Sequence, residues 1–135
     1  MKAESKTPPK LKRTRASFTF KVDKPGITSV DGLEFSKHTK SVVGLQLTSD
    51  YPDRLYHRGS QRIEIGGEEI FPDGFDSKLL MSSISVAPNE RFFSLGEVLP
   101  GDLSLKIRYN DRDHSAAPFG QGYSVSVILL LEEEV

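Results

Sequence analysis

The chain has no cysteine, no tryptophan and only three histidines among its 135 residues. The missing cysteine removes disulfides, thiolate zinc sites, iron–sulfur clusters and thiol nucleophiles together. The missing tryptophan counts against a sugar-binding platform. Long apolar runs are missing too. The longest is Val127 to Leu131, five residues, far short of a membrane span. A secretory leader is not expected, because the first apolar segment follows Arg15 and alternates. No membrane partner is expected either. The length suits one domain with a core that holds without staples.

Chemistry-bearing motifs are equally sparse. His38, His57 and His114 fall in three predicted loops, and no pair shows metal-site spacing. The densest polar cluster is Asn110-Asp111-Arg112-Asp113-His114. Asp111 and Asp113 offer oxygen ligands to a hard cation, with His114 beside them. Arg112 stands between them, however, and the glycine and trailing glutamate of a calcium loop are absent, so a solvated loop with Asx-turns is expected. There is no Gly-x-Ser-x-Gly elbow. Glu68 and Glu69 are adjacent on a predicted strand and point to opposite faces. Gly66-Gly67 and Gly120-x-Gly122 open no helix that could cradle phosphate. The expectation is a protein that is not an enzyme, with no catalytic residue, no cofactor and no metal.

What the sequence does carry is a segregated charge. Residues 1–15 hold Lys2, Lys6, Lys10, Lys12, Arg13 and Arg15 against Glu4, a net of +5. The other 120 residues hold 12 basic and 18 acidic side chains, a net of -6. The segment up to residue 16 also contains Pro8 and Pro9 and little to bury, so a flexible basic arm is expected there. Six cations on a tether suit nucleic acid or another polyanion. They equally suit docking on an acidic protein surface, or simple solubilisation.

Residues 17–135 read as strands throughout. Phe18, Phe20 and Val22 alternate with Thr19 and Lys21, the period-2 mark of a half-buried strand. Breaks follow at Lys24-Pro25-Gly26 and Asp31-Gly32. Ser41 to Ser49 forms another strand, with Val43, Leu45 and Leu47 on one face. Asp50 to Gly59 is expected to be an exposed loop. Gly66-Gly67 predicts a two-residue hairpin turn, pairing Ile63 with Ile70 and Glu64 with Glu69. Pro72 to Phe75 reads as a turn, Leu80 to Ala87 as a strand, and Arg91 to Leu95 as a short aromatic segment. Asp102 to Asn110 turns Leu103, Leu105, Ile107 and Tyr109 inward, and a loop leads to Gly122. From Tyr123 to Leu131 one face carries Tyr123, Val125, Val127, Leu129 and Leu131. The opposite face changes from Ser124 and Ser126 to Ile128 and Leu130, and Glu132 to Glu134 are expected to end the strand. A strand apolar on both faces is either covered twice or part of a subunit interface, which makes Ile128 and Leu130 candidate interface residues. The pattern predicts an all-β fold: a single antiparallel β-sandwich of about eight strands, jelly-roll-like, with an immunoglobulin-like sandwich as the alternative.

One loop has the composition of a contact hot spot: Tyr51, Arg54, Tyr56, His57 and Arg58. Packing against the chain's own domain is the competing reading.

A basic arm over Lys2 to Arg15 followed by a β-body over Phe18 to Leu131 resembles the small jelly-roll virion proteins of viruses and phages. The resemblance is architectural and covers the whole chain. It implies a non-enzymatic structural protein of auxiliary or decoration type. It further implies homo-oligomers, with trimers favoured, and an arm that contacts a neighbouring subunit or nucleic acid. It would place the protein in the virion, assembled in the host cytoplasm; the absent leader otherwise suggests the cytoplasm. The acidic body departs from this picture, since it suits a phosphate-rich interior poorly. Two further classes remain: a ligand- or carbohydrate-binding β-sandwich, with Tyr51, Tyr56 and Tyr123 as platform residues, and a small β-sandwich hydrolase.

Overall fold

The computed structural model describes residues 10–82, 86–87 and 90–135. Eight strands form two four-stranded antiparallel sheets, ordered β1-β8-β3-β6 and β2-β7-β4-β5. The strands are β1 (Leu11–Val22), β2 (Gly26–Glu34), β3 (Thr39–Ser49), β4 (Gly59–Ile65), β5 (Glu68–Asp76), β6 (Phe93–Val98), β7 (Ser104–Asp111) and β8 (Tyr123–Glu134). The pairs β1–β8, β2–β7, β3–β6 and β4–β5 nest inside one another. The chain is therefore one long hairpin, rolled so that successive pairs alternate between sheets. That is the jelly-roll arrangement.

The hairpin tip is Gly66-Gly67, with φ of 61° and 83°. Both angles are positive, as a two-residue turn of this kind requires and as a Cβ would penalise. Glu64 pairs with Glu69 as expected, but Ile63 pairs with Phe71 rather than Ile70. A bulge at Ile70 brings Phe71 into the core instead, where its ring meets Phe75 at 4.5 Å.

The core fills the space between the sheets. Tyr123, Val125, Val127, Leu129 and Leu131 of β8 are all buried there, with Val42, Leu45 and Leu47 from β3. Ile63 and Ile65 of β4 and Leu105, Ile107 and Tyr109 of β7 face them. Full burial of each such aliphatic side chain is worth about 1.5–3 kcal/mol.

Several boundaries differ from the sequence expectation. β1 begins at Leu11, not Ser17, so Leu11 to Ala16 belong to the sandwich. The reason is a partner invisible to local pattern: Leu11, Lys12 and Arg13 pair with Glu134, Glu133 and Glu132. The same pairing carries β8 through the acidic run that was expected to end it. Asp31-Gly32 does not end β2 but forms a register shift within it, with Gly32 at φ 76°. Asp50 to Gly59 is not a plain loop, because Pro52–Arg58 is a helix, α1, with proline in its first turn. Pro72 to Phe75 continues β5, which lies at a sheet edge where a missing N–H is tolerated. The strand expected from Leu80 gives way to a short 3₁₀ turn, Ser77–Leu80. Ile84, part of that expected strand, lies outside the described residues.

Candidate functional site

The two outer faces of the sandwich differ in kind. On β2-β7-β4-β5 and the residue that follows β7, the arginines pair with carboxylates. Arg62 reaches Glu64 at 3.0 Å and Glu69 at 2.7 Å, Arg108 reaches Asp73 at 3.7 Å, and Arg112 reaches Asp76 at 2.5 Å. Such exposed pairs add little stability each, but they leave a polar, solvated face.

The outer face of β1-β8-β3-β6 is organised otherwise. Alternation turns Arg13, Arg15, Ser17, Thr19 and Lys21 of β1 outward, all exposed. From β8 the outward row is Ser126, Ile128, Leu130 and Glu132, half-buried. Ile128 and Leu130, the candidate interface residues, thus point away from the core. They floor shallow depressions with Val43, Phe92, Arg13 and Arg15. Gly44 makes room for Phe92, because a Cβ there would lie 2.9 Å from that of Phe92. The Arg15 guanidinium stands 5.5 Å from the Phe92 ring centroid. At the far end Arg13 reaches Glu132 at 3.8 Å and Lys40 reaches Glu134 at 3.0 Å. The face therefore has an apolar centre with charged side chains around it.

The expected arm divides accordingly. Lys2 and Lys6 lie outside the described residues. Lys10 is exposed, and its carbonyl accepts the Val135 N–H at 2.9 Å. Lys12, Arg13 and Arg15 are not arm residues but exposed positions on β1.

At the opposite end, α1 and the loop of residues 112–121 are locked together by a buried polar network. Arg58 and Asp111 are 1% and 3% exposed. Arg58 Nε donates to both Asp111 oxygens at 3.1 Å, and Nη2 donates to Oδ1 at 2.7 Å. Arg58 Nη1 donates to Asp113 Oδ1 at 3.2 Å and to the Ala117 carbonyl at 3.0 Å. Tyr123 OH donates to Asp111 Oδ2, and the Tyr109 and Tyr123 hydroxyls lie 2.8 Å apart. The Asp111 hydrogen bond raises the Arg58 pKa against the opposing effect of burial. Burial, first of all, pushes both Tyr109 and Tyr123 above the ordinary phenol value. Ser77 Oγ donates to Gln61 Oε1 at 2.5 Å, and Gln61 Nε2 donates to the Phe75 carbonyl at 3.0 Å.

This network corrects three expectations. Arg58 is not a surface contact residue; it is a fastening inside the fold. Tyr123 is 1% exposed and cannot serve as a platform. Asp111, expected in a solvated loop, ends β7 and is 3% exposed, with donors on both carboxylate oxygens.

The rest of the expected contact loop does reach the surface. Tyr51 and Tyr56 are each 49% exposed. The Arg54 guanidinium stacks 3.9 Å from the Tyr51 ring centroid, and its Nη1 donates to the Gly122 carbonyl at 2.5 Å. Tyr51, Pro52, Asp53 and Asp50 form one side of a cleft of about 350 Å³, with Ala117 and Pro118 opposite. His57 and His114, 57 positions apart in the sequence, stack with centroids 4.9 Å apart. No local spacing signals that pair, because the fold alone brings α1 beside the 112–121 loop.

No family model, curated protein or solved structure matches this chain. No helix among the described residues is long and apolar enough to cross a membrane.

Proposed function

We propose that the chain is a non-enzymatic structural protein of a virion, an auxiliary or decoration-type jelly-roll subunit that self-associates. The observation that carries this reading is the difference between its outer faces. One is a self-paired charge lattice, and the other has the apolar centre of Ile128, Leu130, Val43 and Phe92. Apolar centres with charged surroundings are the anatomy of protein contacts. A trimer is the favoured state, and the rolled-hairpin topology agrees with the class. Lys2, Lys6 and Lys10 supply the arm's contact to a neighbouring subunit or to nucleic acid. The site of action is the virion, assembled in the host cytoplasm.

Molar mass by light scattering behind a sizing column tests the reading at low and high salt. The expected result is a trimer at both, since burial of apolar area is not screened. Ile128→Lys with Leu130→Lys should give a folded monomer, because both side chains point away from the core. A monomer of the unmodified chain at every concentration and salt would overturn self-association.

A ligand- or carbohydrate-binding module is the second reading, favoured by the Tyr51–Arg54 cleft. The cleft is at the small end of ligand pockets, and burial of Tyr123 leaves only Tyr51 and Tyr56 as a platform. The hydrolase reading gains no comparable support: in the densest polar cluster Asp111 is buried and bonded to Arg58 and Tyr123, while Arg112, Asp113 and His114 stand exposed on the loop.

A further inference from the structure

We propose that the cleft between α1 and the 112–121 loop receives the segment Lys6-Thr7-Pro8-Pro9-Lys10 from a second copy of this chain. The inference rests on the self-association reading and names one of its contacts.

The cleft has the chemistry for such a segment. Proline-rich peptides dock on aromatic-lined grooves with little ordering cost, because their extended helix is preset. Here Tyr51 offers a half-exposed ring, flanked by Pro52 and facing Pro118. Arg54 stacks on that ring at 3.9 Å and is tied to the Gly122 carbonyl, so the aromatic wall is held from one side. Asp50 and Asp53 line the same cleft. Asp50 Oδ1 accepts the Ser124 N–H at 2.8 Å, which fixes its carboxylate. Among the described residues neither Asp50 nor Asp53 has a cationic side chain in ion-pair range. The segment brings two prolines between Lys6 and Lys10, apolar rings for the Tyr51 and Pro118 walls and two cations for the two carboxylates, which outnumber the one cation of the lining, Arg54.

Reach decides which copy supplies it. The cleft lies at the Val22–Tyr123 end of the β1–β8 pair, where Gly122 and Ser124 meet Arg54 and Asp50. Lys10 lies at the other end, bonded to Val135. The 12 residues of β1 separate them, about 40 Å at strand rise. Pro8 and Pro9 stand one or two residues before Lys10, which spans about 7 Å at full extension. A chain's own prolines therefore cannot enter its own cleft, and a neighbour's must. The contact runs head to tail, so it generates a ring if the rotation closes.

The test titrates a fluorescein-labelled peptide of residues 1–10 into the full chain and reads anisotropy. Saturable binding is expected. Tyr51→Ala combined with Asp53→Lys should weaken it at least tenfold, while Arg62→Ala on the opposite sheet leaves it unchanged. A peptide with Pro8→Ala and Pro9→Ala keeps every charge and should also lose at least tenfold. Equal binding of that peptide would mean diffuse electrostatics and would overturn the proposal. So would absent binding, or binding indifferent to the cleft variant. Circular dichroism of the variant confirms that exposed positions were changed without loss of fold. Light scattering separates the two claims: a chain that trimerises yet ignores the peptide sinks this contact alone, whereas a persistent monomer sinks self-association.

Discussion

Arg58 is a guanidinium withdrawn from water and held by a carboxylate that is itself buried. Its second carboxylate differs, because the Asp113 side chain is 99% exposed and solvent screens that pair. The two partners should therefore respond differently to mutation. Arg58→Met leaves Asp111 buried without a cation and should cost about 3–5 kcal/mol. Asp113→Ala should cost less than about 1 kcal/mol. Urea denaturation with unchanged slope measures both, and equal losses would contradict the assignment. The phenols next to this pair set a pH limit as well. Tyr109 and Tyr123 hold their protons above the ordinary value of about 10 in the folded state. Their contribution is fully present below the unfolded value and falls away as pH rises toward the folded values. Alkaline unfolding should set in above about pH 10, with the phenolate absorbance of these two tyrosines rising together with loss of the β-sheet dichroism. Ionisation of both while the dichroism stays intact would show them to be solvated.

At the scale of elements, the first half of β1 decides how the N-terminal region behaves. Leu11 to Arg15 pair with Leu130 to Glu134, and Lys12 and Arg13 stand opposite Glu133 and Glu132. Deleting residues 1–9 removes none of this ladder and, in the Ile128→Lys, Leu130→Lys chain that does not assemble, should leave stability within about 0.5 kcal/mol. Deleting residues 1–15 removes several ladder hydrogen bonds and should cost about 2–4 kcal/mol at roughly 1 kcal/mol each. Thermal melts of the two truncations distinguish a strand from a tether, and identical melts would return Leu11 to Arg15 to the arm. The sequence hid this because the partner strand is more than a hundred residues away. Composition alone sees cations and two prolines. β7 and the inner face of β8 were legible because period-2 alternation is a local signal, and Ile128 and Leu130 stood out because they break it. α1 was not legible, since seven residues are too few to show helical periodicity. Arg58 was misplaced for a related reason: its residue type says surface, and only the distant Asp111 makes burial tolerable.

For the whole molecule, the rolled hairpin fixes the order in which things can happen. β8 follows the other seven described strands in sequence, yet it sits between β1 and β3, and it pairs with β1 across more than a hundred residues of chain. Contacts of such sequence separation carry a large loop-closure cost before they stabilise anything, so refolding should take milliseconds to seconds. The outer face proposed for self-association depends on the same strand, because Ile128 and Leu130 belong to β8 and Phe92 rests beside Gly44 on its neighbour β3. That face does not exist until the sandwich is complete. Assembly should therefore follow folding and not drive it. On dilution from urea, far-ultraviolet dichroism should recover at a rate independent of protein concentration. Scattered mass should rise later, in a phase that quickens with concentration. The Ile128→Lys, Leu130→Lys chain should keep the first phase and lose the second. A single concentration-dependent phase in both signals would mean that the subunit folds only against its neighbours, and the sandwich would then have to be treated as part of an obligate assembly.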